Sequence, residues 1–68
     1  MILISIFKLT DIKSAKRVAR TFGCKLYRAT PNVLQFESSI TNITSARALI
    51  NFFRKKGYQV SRQRLFIT

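Results

Sequence analysis

Histidine and tryptophan are missing from this 68-residue chain, cysteine and proline occur once each, glycine twice, and only two residues are acidic. With no histidine and a single thiol, Cys24, the chain has neither the ligand set of a Cys/His metal site nor a disulfide framework of its own. Its two carboxylates, Asp11 and Glu37, are too few for a carboxylate cage or a general acid–base pair. The expectation is a protein that is not an enzyme, holds no metal or cofactor, and works in a reducing, cytoplasmic compartment. No apolar run approaches the roughly 20 residues that span a bilayer. The apolar start lacks the basic leader of a signal peptide and alternates at Ser5 as a strand would, so no membrane role is expected. Nothing marks a linker, and the reading is one domain over residues 1–68.

What the chain has in excess is positive charge. Thirteen Lys and Arg give a net charge of +11, yet 47% of the residues are hydrophobic, too many for simple disorder. The chain should fold, and its self-repulsion should be relieved by a polyanion.

Internal repetition sets the expected fold. Leu9-Thr10-Asp11-Ile12-Lys13-Ser14-Ala15 returns as Ile40-Thr41-Asn42-Ile43-Thr44-Ser45-Ala46, each time after a strand-like run and before a helix-like run that ends at Gly23 or Gly57. The halves, about 1–30 and 33–68, each read strand, helix, strand. The result is a ferredoxin-like β-α-β-β-α-β order in the α+β class, an antiparallel four-stranded sheet with both helices on one face.

In the first half, residues 2–8 read as a central strand. A helix capped by Thr10 or Asp11 buries Ile12, Ala15, Val18, Ala19 and Phe22, and residues 24–30 form a strand with Cys24 pointing inward. Pro31-Asn32 turns the chain into a third strand, Val33 to Ser38. In the second half Thr41 or Asn42 caps a helix about one turn longer, burying Ile43, Ala46, Leu49, Ile50 and Phe53. The last strand, residues 58–67, changes apolar parity between Val60 and Leu65, which predicts a bulge or tight turn near Arg62-Gln63-Arg64. Superposing the halves pairs Leu3 with Leu34 and predicts that Leu3, Ser5 and Phe7 face the helices. Ile2, Ile4, Ile6, Tyr27, Val33, Lys25, Gln35 and Glu37 would then lie on an open face, joined by Leu65 and Ile67.

Two surfaces follow as candidates. Lys13, Lys16, Arg17 and Arg20 recur at i, i+3, i+4 and i+7, a cationic ridge opposite the apolar stripe of the first helix. Arg47, Asn51 and Arg54 align likewise on the second, with Lys55 and Lys56 beside them, and the two ridges are expected to merge into one basic surface. Solvated helix faces commonly mix signs so that Glu pairs with Lys. Here the second helix has no acid and the first only Asp11 at its start, read with Asn42 as a cap. The first expectation is therefore a nucleic-acid-binding protein, RNA ahead of DNA, gripping phosphates with these ridges and with Lys25, Arg28, Arg62 and Arg64.

The alternative is that this chain is a protein-interaction module, itself of the viral accessory kind, that acts as an inhibitor or adaptor of an acidic protein partner. It would use the aliphatic patch of Ile2, Ile4, Ile6, Tyr27 and Val33, which a homodimer through the sheets would also cover. RNA-recognition domains share this element order but stack bases on aromatics of the central strands. This chain shows only Tyr27 on the expected open face, and on an edge strand.

Overall fold

The computed structural model describes residues 1–64, so Leu65 and Ile67 lie outside the described residues. Element order is β1 (Ile2–Phe7), α1 (Ile12–Thr21), β2 (Lys25–Ala29), β3 (Val33–Ser38), α2 (Ile43–Lys55) and β4 (Val60–Arg64), with one 3₁₀ turn at Ile40–Asn42 before α2. The strands form one antiparallel sheet in the order β2-β3-β1-β4, the ferredoxin-like α+β fold. Among the described residues no helix is long and apolar enough to cross a membrane.

Local chemistry explains the element boundaries. Asp11 caps α1, its carboxylate accepting from the Ser14 amide at 3.2 Å. Gly23 and Gly57 follow the two helices at φ +74° and +93°, the left-handed conformation that a helix exit favours and a side chain resists. Thr30 closes the β2–β3 hairpin, its amide and hydroxyl both donating to the Val33 carbonyl. The expected symmetry of the caps breaks at Asn42, whose side chain makes no capping bond. Its amide instead donates to the Phe22 carbonyl at 3.2 Å and ties the start of α2 to the end of α1. Ser39 caps the 3₁₀ turn, accepting from the Thr41 amide.

The core lies between the helices and one sheet face, and it reverses the parity expected of β1. Ile2, Ile4 and Ile6 are 1%, 0% and 0% exposed and pack with Ala15, Ala19, Leu34, Phe36, Ala46, Leu49, Ile50, Phe53 and Val60. Antiparallel partners share a face, and the register sets Ile2 opposite Ser38, Ile4 opposite Phe36 and Ile6 opposite Leu34. Leu3, Ser5 and Phe7 therefore occupy the open face, opposite Glu37, Gln35 and Val33.

The cause is in the connections. Both helices start where the repeat places them, at Ile12 and Ile43. The first connection, however, passes through Lys8 at φ 59°, whereas the second leaves Ser39 extended and winds into the 3₁₀ turn. Links of equal length that turn the chain differently deliver opposite strand parity to equivalent helices. Burying a large aliphatic side chain contributes roughly 1.5–3 kcal/mol, which favours placing the three isoleucines under the helices; on the opposite face Leu3 and Ser5 are 6% and 8% exposed.

The open face consequently mixes Leu3, Phe7 and Val33 with the polar Ser5, Gln35 and Glu37. Gln35 donates to the Ser5 hydroxyl at 3.0 Å across β1 and β3, and Glu37 stands opposite Lys25. Among the described residues the irregularity predicted near Arg62-Gln63-Arg64 is absent, since Val60–Arg64 pairs with Ile6–Ile2 without a break; the part of the prediction that falls on Leu65 lies outside the described residues. A bulge falls in β2 instead, between Leu26 and Arg28, and leaves Tyr27 49% exposed.

Candidate anion-binding groove

The positions proposed from the sequence as basic contacts are all exposed: Lys13, Lys16, Arg17, Arg20, Lys25, Arg28, Arg47, Arg54, Lys55, Lys56, Arg62 and Arg64. They do not merge into one surface. Helix α1 packs on the β2 side of the sheet, α2 over β1 and β4. Ser14 and Val18 of α1 face Phe52 and Lys56 of α2 across the seam between the helices. Each ridge is thereby turned toward the opposite edge of the sheet.

On the β2 edge, Lys16 and Arg20 of α1 and Lys25 of β2 border a groove of about 470 Å³ over Cys24, Leu26 and Phe36. Lys13 and Arg17 stand further round α1 in solvent, and Arg28 sits at the register position opposite Gln35 on the open face. Cys24 belongs to the core as expected, and burial pushes its thiol above the usual range, opposed in part by a hydrogen bond with Ser38.

On the β4 edge the cations converge. Helical periodicity brings Arg47, Ile50, Asn51 and Arg54 to one side of α2, and the two-residue period of β4 brings Arg62 beneath them. Together they line a groove of about 440 Å³. Arg62 also lines an adjoining groove of about 170 Å³ with Ile2, Ile43 and Arg64. Arg54 is anchored, its Nη2 donating to the Val60 carbonyl at 3.3 Å, which fixes the end of α2 to the start of β4.

Four guanidinium groups thus border two adjoining grooves, and among the described residues their lining holds no carboxylate. Such a site suits anions that accept bidentate hydrogen bonds, phosphate above all. Both of the chain's acids lie elsewhere, Asp11 at the start of α1 and Glu37 on β3. Asp11 is held below the ordinary carboxylate range chiefly by its hydrogen bonds with Ser14, with Arg17 and Lys56 adding a smaller attraction.

Lys55 and Lys56 close the last turn of α2, where positive charge favours the helix dipole. Lys56 places its ammonium 4.9 Å from the centre of the Phe52 ring, so its place is the seam between the helices. The interface positions inferred from the sequence fare differently: Ile2, Ile4 and Ile6 are core residues and form no exposed patch, Val33 is half-buried and Tyr27 exposed.

Sequence reasoning aligned Asn51 with Arg47 and Arg54 but did not treat it as a site residue. It also missed that Arg62 and Arg64 would join α2. The available signal was parity in β4: once Val60 is placed inward, residues 62 and 64 must share its side. Among the described residues no three of Cys, Asp and Glu gather as a metal would require. Comparison with known proteins finds no matching family model, no similar curated protein and no similar solved structure.

Proposed function

We propose that this protein binds nucleic acid through its phosphates, RNA ahead of DNA, without catalysing a reaction on it. The observation that carries the reading is the imbalance of charge, thirteen cations against two acids, with every one of the thirteen cations exposed. Phosphate contacts of this kind set affinity and position but do not read sequence, so discrimination among sequences is weak. Asn51 supplies a donor and an acceptor among the arginines, a pair suited to a ribose 2′-hydroxyl, and that ranks RNA first. The interaction-module reading drew on Ile2, Ile4 and Ile6 lying in solvent, and their burial removes that support.

The test is fluorescence anisotropy with matched single- and double-stranded RNA and DNA, from about 50 to 200 mM salt, where phosphate-driven affinity falls steeply. Affinity should fall log-linearly with salt and be highest for an RNA. No binding to any of the four at the lowest salt would refute the proposal.

A further inference from the structure

We infer that the groove between α2 and β4 holds one single strand of RNA by successive phosphates, and that the α1 ridge is not part of this site. The inference rests on the nucleic-acid reading and assigns it a surface and a strandedness.

The two edges of the molecule differ in chemistry. The α1 edge has lysines and one arginine around an apolar floor, Cys24, Leu26 and Phe36. The α2 edge is all arginine among its charged groups, drawn from a helix and a strand that meet at an angle to the ligand: Arg47 and Arg54 from one wall, Arg62 and Arg64 from the other. Guanidinium groups are less strongly hydrated than ammonium groups and match phosphate with a planar fork, so this edge loses less on desolvation and holds geometry better.

Shape selects the strand. The two grooves adjoin at Arg62, and the α2 residues that line them run from Arg54 near the C-terminus of the helix to Ile43 at its start. At 1.5 Å per residue that path is roughly 16 Å long, room for several phosphates and not for one alone. Its walls are a single helix and the outermost strand, so its cations face one backbone from both sides. Among the described residues no aromatic ring lines either groove, so this site holds the strand by its phosphates and not by base stacking, unlike the usual single-strand platform.

Two charge-matched double variants separate this inference from a diffuse field. Arg47→Gln/Arg62→Gln removes two cations from the groove, and Lys16→Gln/Arg20→Gln removes two from the α1 ridge where it borders the β2 edge; all four side chains are exposed. Binding is read by anisotropy on an unstructured oligouridine at about 50–200 mM salt, with far-ultraviolet circular dichroism confirming the fold. Single strands lose about 0.7 in log–log slope per phosphate neutralised, so four contacts give a slope near −2.8, about 50-fold over this range. The groove variant should fall to a slope of about −1.4, and the α1 variant should stay near −2.8. Arg64→Gln alone should reduce the slope by about 0.7, which keeps the test available if the groove double variant folds poorly.

Equal losses in the two double variants, or tighter binding of duplex than of single strand, would overturn the groove assignment and leave the nucleic-acid reading standing. Failure of the unmodified protein to bind any nucleic acid at the lowest salt would overturn both.

Discussion

Ile4 offers the sharpest test of how the sheet is oriented. Its side chain is fully buried, on the central strand β1, between the register partners Phe36 and Arg62. Removing one methyl group with Ile4→Val leaves a small cavity beneath the helices and should cost about 1 kcal/mol, within the usual range of 0.5–1.5. In a domain of this size 1 kcal/mol lowers the melting temperature by roughly 4–8 °C. Ile4→Ala should cost about 2–5 kcal/mol. That is comparable with the whole stability of such a chain, about 3–10 kcal/mol at 0.05–0.15 per residue, so this variant should be largely unfolded at 37 °C. Melting is followed by far-ultraviolet circular dichroism, because the chain has no tryptophan. Gln63→Ala is the control, exposed on β4 opposite Leu3 on the other face, and should stay within about 0.5 kcal/mol of the parent. An Ile4→Val protein that melts within a degree of the parent would refute the inward placement of Ile4.

Two further predictions concern the helix ends. The carboxyl of Asp11 is held below its unfolded value near 3.8 by hydrogen bonds that only the folded chain makes, so ionised Asp11 stabilises the fold above that pH. The contribution should fade as pH falls below the unfolded value and be gone below the folded one. Melting curves between pH 6 and pH 2 should therefore show a smaller acid-side decline in Asp11→Asn than in the parent; identical declines would dismiss the cap. Gly23→Ala should destabilise more than Gly57→Ala in urea titrations. Both replace glycine at positive φ, but a Cβ at residue 23 would also lie 3.1 Å from the Asn42 Nδ2, whereas the space beside residue 57 is open. The reverse order would mean that the Asn42–Phe22 link adds nothing.

The sequence by itself determined the element order and much of its detail, for reasons that are local. Periodicity located both helices and their buried stripes, except that Ile12 lies at the first turn of α1 and is 38% exposed. Gly23 and Gly57 ended the helices, and Thr30 to Val33 supplied the turn between the halves. Charge imbalance could likewise be read without coordinates, because two acids cannot neutralise thirteen bases in any fold. Strand parity could not be read. Leu3, Ser5 and Phe7 alternate as plausibly toward a core as Ile2, Ile4 and Ile6, and the repeat pointed to the wrong set because its two equal links follow different paths, one through left-handed Lys8 and one through a 3₁₀ turn. That single local conformation decided which face of the sheet is greasy, and with it whether Ile4 is an interface or a core residue. Only the tertiary structure, too, could bring Arg62 and Arg64 against Arg47 and Arg54, since β4 reaches α2 by pairing with the far side of β1. Spacing along the chain shows which residues share an element's face; which faces meet depends on how the layers pack.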